Sequence, residues 1–543
     1  MVRNFFKKGL DAALSRQTSI FSAAFFIVLT TILSQILGFV KYRLLVSIFG
    51  ASNDLGVLFA AFRVPDFIFQ VVIAGAISSS FIPIFTEYIT KEKRNEAFAF
   101  TSTLMNIGMV FYVFVSIVIF IFSFQIVSFV APGFSHDELV LMAKLMRIIQ
   151  AAQVFFMLGT IQTATLQSLQ HFLVPGLASA LYNLGIIMGI IIFVPFFGIY
   201  GAAIGVCIGA FLFCASQFPI LIMHGFSYKK TFQISEGITK LFRLMIPRSL
   251  TLIITQIAVT GNVFFASFLS ARSLVIFDLA QTLVVAPVLL FGQSIAQASF
   301  PSMALKANDK KAFLEIFLSS FGQTLFLTLP VSVLLIVLRI PIVRLFYGAE
   351  RFDWDATVDT GLTLAYFALS VTAQSLIFLF ARAFYAQKDT KTPFFISLFC
   401  ALLNLFLAWY FITVQHYSIY FLALATSVSY LVSIFLLAFF LDRKIHLPKM
   451  LLLIDGGKIV VASVITGVAL YLPIKLLDQL VFDTTRTLNL LALTTIASFL
   501  GLSAYIFLTW LLDIKEAYYF FEVIKKFGYR NKTLKNIGET IGM

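Results

Sequence analysis

Fourteen separate runs of mostly apolar residues constrain this chain before anything else. They fall near 20–48, 55–88, 97–128, 139–169, 173–195, 199–223, 239–269, 273–304, 312–338, 356–386, 392–414, 417–441, 454–476 and 486–512. A chain crossing hydrocarbon must pair every backbone N–H and C=O internally, and about 20 residues of α-helix do this. The chain has 543 residues, 60% hydrophobic and only 12% charged. A soluble protein carries about 25% charged residues. The runs therefore predict an all-α polytopic membrane protein and exclude the water-soluble classes. The start, MVRNFFKKGLDAALSRQ, is basic and amphipathic, and the apolar run behind it is too long for a signal peptide, so it reads as a retained anchor. Cys207, Cys214 and Cys400 lie in apolar runs without metal-type spacing and read as packing residues.

The formal net charge is +14, and its placement matters more than its size. Loops that follow an even-numbered run contain KEKR (91–94), QH (170–171), SYKK to KLFR (227–243), KANDKK (306–311), QKDTK (387–391) and DRKIHLPK (442–449). The opposite loops contain ASND, APGFSHDE, FFGIYG, SARS, GAERFDWDAT, VQHYS and LLDQLVFDTTRT, with Arg339, Arg344 and Arg351 the main exceptions. Basic loops stay cytoplasmic, so this alternation puts both termini there and makes the charge a topology signal rather than a nucleic-acid footprint. Residues 226–240 form a basic linker. Residues 515–535 pair aromatics with lysines, as a helix lying on anionic lipid would.

The linker divides the spans into six and eight, and the two parts echo each other. AGAISSSFIPIF (74–85) matches FGQSIAQASFPSM (291–303), and LQSLQHFLVPG (166–176) matches AFYAQKDTKTP (383–393), both at an offset of about 218 residues. Six is even, so the copies run parallel and the last two spans are an addition. The expected divisions are 1–223, an N-lobe; 224–240, a cytoplasmic linker; 241–450, a C-lobe; 451–514, the two added helices; and 515–543, an amphipathic tail. Two such lobes enclosing a cavity are the layout of an alternating-access transporter.

Ionisable residues inside spans are costly and mark function by default. Span one holds Gln35, Lys41 and Arg43; span two holds Arg63 and Asp66 around Pro65. Either these residues line a cavity that receives an anionic headgroup, or Lys41 and Arg43 snorkel while Arg63 pairs with Asp66. Lys144 and Arg147 follow APGFSHDE, whose acidic residues are their expected partners. Asn404 sits well inside span eleven, where it can hold a cation or bond a neighbouring helix. No motif of an enzyme or a metal site is present. In ARAFYAQKDTKTP, Arg382 suits a helix C-terminus, Asp389 a turn, Thr392 an N-cap and Pro393 the first helical position.

The stretches LGFVKYRLLVSIFGAS (37–52), AFRVPDF (61–67), APGF (131–134), AQTLVVAPVLLFGQSIAQASFPSMA (280–304), RLFYGAERFDWDAT (344–357) and ARAFYAQKDTKTP (381–393) together resemble the MurJ/MviN lipid II flippases of the MOP exporter superfamily. The resemblance implies fourteen helices, two six-helix lobes around a cationic cavity, and two further helices forming a lipid groove. It implies movement of lipid II, the undecaprenyl-pyrophosphate-linked peptidoglycan precursor, from inner to outer leaflet of the bacterial cell membrane. Implied partners are that lipid, membrane lipids and cell-wall synthesis proteins, with no nucleotide; the drive is a Na+ or H+ gradient or the membrane potential. Where the family carries arginine, this chain has Gln35, residues near Phe69 and Gln70, and Thr282. Lys41 keeps a cation, Asp66 matches a gate position after the proline, and no carboxylate accompanies Asn404. A flippase for another polyprenyl-linked oligosaccharide, and a non-transporting envelope scaffold, remain as alternatives.

Overall fold

The computed structural model describes residues 20–74, 80–477 and 487–518. The expected amphipathic N-terminus, most of the tail and the loop before the last span lie outside them. Among the described residues the regular structure is entirely helical, and fourteen helical stretches are long and apolar enough to cross a membrane. These are α1 (Phe26–Phe49), α2 (Asn53–Ile73), α3 (Arg94–Val130), α4 (His136–Ser168), α5 (Leu173–Phe197), α6 (Ile199–Met223), α7 (Ser249–Ser267), α8 (Ala271–Leu305), α9 (Lys310–Val337), α10 (Trp354–Ala386), α11 (Lys391–Val414), α12 (Tyr420–Ile445), α13 (Leu452–Leu476) and α14 (Leu488–Leu511). The expected fold class is the one the chain adopts.

The internal repeat is written into the element boundaries. Helices start at Asn53 and Ala271, at His136 and Trp354, and at Leu173 and Lys391, each pair 218 residues apart (53 to 271, 136 to 354, 173 to 391). Spans α2 and α8 both break into a π-helical turn at the same offset, Gln70–Ala74 and Val288–Gln293. Such turns free backbone carbonyls, which hydrocarbon would leave unsatisfied. A serine hydroxyl donates to one of them in each copy, Ser249 to the Val71 carbonyl at 2.7 Å and Ser294 to the Leu289 carbonyl at 3.2 Å. Pro65 contributes to the irregularity of α2, because it lacks the N–H that would continue the ladder.

The chain forms two compact units. One comprises Met1–Ile276, Phe346–Ala356 and Ile412–His416; the other comprises Phe277–Leu345, Thr357–Phe411 and Tyr417–Met543. In the first unit α5 and α6 pack backbone to backbone. A Cβ on Gly189 would stand 2.1 Å from the Gly205 Cα, and one on Gly185 would stand 2.4 Å from the Gly209 Cα. Close approach through small residues replaces the hydrophobic drive that lipid cannot supply. The linker is pinned to the same unit. Asn106 of α3, almost fully buried, donates to the Lys229 and Thr231 carbonyls at 3.0 and 2.8 Å and accepts from the Tyr228 hydroxyl at 2.5 Å.

Polar residues on the acidic-loop side have structural duties. Arg351 donates to the Ile48 carbonyl at 2.6 Å, at the end of α1, and Arg339 donates to the Ile336 carbonyl at 3.0 Å, at the end of α9. A cation there meets the negative pole of a helix. Ser135 and Glu138 form a capping box that opens α4. Arg147 finds the Ser123 hydroxyl at 2.8 Å and the face of Phe120 at 4.6 Å, in place of the expected acidic loop.

In the second unit α13 and α14 pack together, and the added pair lies against α9. The Tyr505 hydroxyl of α14 donates to the Phe326 carbonyl of α9 at 2.7 Å.

Candidate functional site

One stripe of α1 explains where its lysine goes. Thr30, Ser34, Gly38 and Lys41 recur at helical spacing, so they lie along one face. That face meets α5. A Cβ on Gly176 would clash with the Thr30 hydroxyl, and one on Gly38 would stand 3.9 Å from the Asn183 amide nitrogen. Asn183 donates to the Ser34 carbonyl at 3.1 Å and to its hydroxyl at 3.2 Å. This fixes the amide, so that its oxygen accepts from Lys41 Nζ at 3.4 Å. The ammonium also lies 4.7 Å from the Tyr42 ring centroid. Lys41 is half-buried in its span and held by neutral groups, while the Asp66 carboxylate acts on its charge.

Asp66, in the first turn of the Arg63–Phe69 segment of α2, is exposed. It acts electrostatically on Lys41 and on the hydroxyls of Tyr112 and Tyr182. Tyr112 is fully buried and its hydroxyl has no hydrogen-bond partner among the described residues. It lies in register with Gln153, because Gly108 packs on Met157 and Gln150 donates to the Ser116 hydroxyl at 3.4 Å. The amide oxygens of Gln150 and Gln153 are also buried without partners among the described residues. Lys41 and Asn183 thus join α1 to α5, with the Asp66 carboxylate of α2 within electrostatic reach. Arg43 and Arg63 are half-buried, and neither is without a partner. Gln35 sits one residue off the α5-facing stripe and is exposed.

Sequence reading missed Asn183, Tyr112, Gln150 and Gln153. The signal for Asn183 was present in the Thr30, Ser34, Gly38, Lys41 stripe, which demands a polar partner helix. Nothing in the sequence alone says which helix supplies it.

In the second unit, Asn404 of α11 donates to the Thr426 hydroxyl of α12 at 3.1 Å, and its own amide oxygen is buried without a partner among the described residues. The Thr426 hydroxyl in turn donates a hydrogen bond to the Leu422 carbonyl at 3.0 Å. Asn404 thus bonds a neighbouring helix and keeps one acceptor unspent. Among the described residues no group of three or more His, Cys, Asp or Glu side chains is placed to hold a metal ion.

The family model for lipid II flippase MurJ matches residues 45–491. The chain belongs to the MurJ family. A probable lipid II flippase MurJ of Borreliella burgdorferi is 27% identical over 426 residues, covering 77% of this chain and 82% of that protein. Lipid II flippase MurJ of Thermosipho africanus is 28% identical, covering 77% and 85%. A solved MurJ structure in an inward closed conformation superposes with a TM-score of 0.74 at 26% identity, over 88% of this chain and 98% of that one. An inward-facing multidrug resistance MATE transporter of the MOP superfamily shares the fold alone, with a TM-score of 0.61 at 12% identity. With fourteen candidate spans among its described residues, this MurJ-family chain is a multi-pass membrane transporter.

Turn chemistry in ARAFYAQKDTKTP differs from expectation in one respect. Thr390 holds the N-cap position of α11 without a side-chain cap bond, and Asp389 one residue earlier does the capping: its carboxylate accepts from the Lys391 and Thr392 amides at 3.1 and 3.0 Å. Thr392 lies inside the helix, donates its hydroxyl to the same carboxylate at 2.8 Å, and places Pro393 third rather than first. Arg382 lays its guanidinium over the Phe300 ring at 5.9 Å.

Proposed function

We propose that this chain moves lipid II from the inner to the outer leaflet of the bacterial inner membrane by alternating access, with both termini cytoplasmic. The observation that carries this reading is Lys41, a half-buried lysine held by Asn183 inside a span of a MurJ-family chain. A pyrophosphate cannot enter hydrocarbon uncompensated, and an ammonium presenting its protons inside the protein supplies the compensation. Asn183 orients that ammonium without neutralising it. Asp66 can draw the ammonium back when no phosphate is present, so that the site does not hold an isolated charge. The prenyl chain needs no such help and stays in lipid. The chain's work is therefore binding and release of a charged headgroup, with no covalent step. Asn404 supports Na+ as the coupling ion: an amide oxygen ligates a hard cation but exchanges no proton near neutral pH.

The test is replacement of the resident flippase in depleted cells, with lipid II movement followed in reconstituted vesicles. The native chain restores growth. Lys41→Ala loses a charge-assisted contact, which lowers headgroup affinity about tenfold to a hundredfold. Lys41→Arg retains part of it. Asn404→Leu removes stimulation by Na+ while a K+ medium shows no change. Normal movement by Lys41→Ala removes the site; normal expression without growth removes lipid II as substrate and favours a scaffold.

A further inference from the structure

The motif ARAFYAQKDTKTP takes no part in the Lys41 region, yet its second half borders two clefts in its own compact unit. One is a slot of about 450 Å³ between α11 and α12. Its walls are Phe395 and Phe399 on α11 and Leu436 and Phe440 on α12, and Lys391 stands at its mouth. Each wall pair is spaced i, i+4, so each lines one side of the slot. Phe395 and Phe399 are 62% and 53% exposed, so their faces are open to lipid. Along α12 the same register continues from Phe440 to Arg443, whose guanidinium lies 4.5 Å from the Phe439 ring centroid.

Across the loop lies a second cleft, of about 360 Å³, lined by Lys310, Lys388 and Lys444 with Asn308 and Gln387. The carboxylates around both clefts are already committed. Asp389 pairs with Lys444, Asp442 pairs with Lys449 at 2.8 Å, and Asp309 caps its own helix at the Ala312 amide, 3.1 Å away. The loop therefore presents net positive charge beside an apolar slot.

We infer that this slot holds an anionic phospholipid from the leaflet on the basic-loop side. An acyl chain lies against Phe399 and Leu436, and the phosphate diester rests on Lys391. Charge and shape select this occupant together. Free phosphate would use the lysines but leave the apolar walls bare to lipid. A zwitterionic lipid would fill the slot, but its own cation cancels the pull of Lys391, and basic clusters at a membrane surface select anionic headgroups for this reason. The inference goes beyond lipid II transport, because the occupant is a resident lipid and not the cargo.

The full chain, reconstituted in nanodiscs of phosphatidylcholine with a minor fraction of phosphatidylglycerol, tests this by native mass spectrometry of retained lipid. Phosphatidylglycerol is retained in preference to phosphatidylcholine. Lys391→Gln lowers that preference about fivefold, the share of one lysine near a membrane surface, and Lys391→Arg restores it. Leu436→Trp keeps every charge and fills the slot, so it abolishes retention and covers the case in which Lys391→Gln fails to fold. Equal retention of both lipids overturns the inference, as does unchanged retention in Leu436→Trp. Displacement by inorganic phosphate would make it a free-anion site. Displacement by undecaprenyl pyrophosphate would make it a cargo site. Either result sinks the resident lipid.

Discussion

Lys388 occupies the left-handed region at φ 59°, where a side chain meets its own carbonyl. The reason lies in how α10 ends. The Asp389 amide donates to the Phe384 carbonyl at 2.9 Å and the Lys388 amide to the Tyr385 carbonyl at 3.0 Å, a pairing that needs a left-handed residue in the position usually given to glycine. Gln170 does the same at φ 64° at the end of α4, 218 residues earlier (170 to 388). Lys388→Gly therefore stabilises the protein by about 0.5–1 kcal/mol, net of glycine's greater freedom when unfolded. Thermal unfolding in detergent reads this directly, and a lower midpoint refutes it. The neighbouring Asp389 responds to pH. Partial burial would raise its carboxyl, but the Lys444 ammonium and the Thr392 bonds outweigh burial and lower it to about 2. A carboxyl held below its ordinary value of 3.8 stabilises the fold above that value and loses the contribution as pH falls towards 2. Asp389→Asn should thus melt earlier than the native chain at pH 6, with the gap closing by about pH 2; a gap independent of pH would assign the effect to shape alone.

Helix pairs in this chain are held by contact rather than by water exclusion, and α5 with α6 is the clearest case. Gly185 and Gly189 meet Gly205 and Gly209 with no atoms to spare. The obstructing atoms are backbone, which cannot swing aside as a flexible side chain can. Gly189→Val must push α6 outward and costs about 1–3 kcal/mol of overpacking, or more where the hairpin cannot yield. The same two helices position Asn183, two residues before Gly185, against α1. Gly189→Val is therefore expected to weaken headgroup binding as well as lower the unfolding midpoint, although it touches neither Lys41 nor the substrate. Unchanged stability with unchanged binding would mean that the hairpin adapts freely. Gly457 in α13 offers the contrast, since among the described residues nothing beyond its own turn of helix lies within 4 Å of its added Cβ; Gly457→Ala should be neutral or stabilising by up to about 1 kcal/mol.

At the scale of the whole molecule, hydropathy and charge alternation made the fourteen spans legible, because a membrane permits so few backbone solutions. The 218-residue repeat was visible at two motifs and recurs in helix starts, π-turns and caps. The partner of Lys41 was not legible, since it depends on which distant helix lies beside Ser34 and Gly38. The cap of α11 was misread because Asp389 and Thr392 both carry suitable oxygens, and only backbone geometry decides between them. What charge alternation predicts beyond span count is which side each loop faces. Lys229 and Lys388 belong to loops on the basic side; Asp137 and Asp353 belong to the opposite set. If basic loops are retained in the cytoplasm, single cysteines at these four positions separate cleanly. In a chain whose Cys207, Cys214 and Cys400 are replaced by alanine, a membrane-impermeant maleimide added to intact spheroplasts labels Asp137→Cys and Asp353→Cys. It reaches Lys229→Cys and Lys388→Cys only after the membrane is opened. Both copies of the repeat must give the same answer, because six spans return each copy to its starting side. Labelling of Lys388→Cys but not Lys229→Cys from outside would mean an odd number of crossings between them, and would overturn the parallel repeat along with the fourteen-span topology.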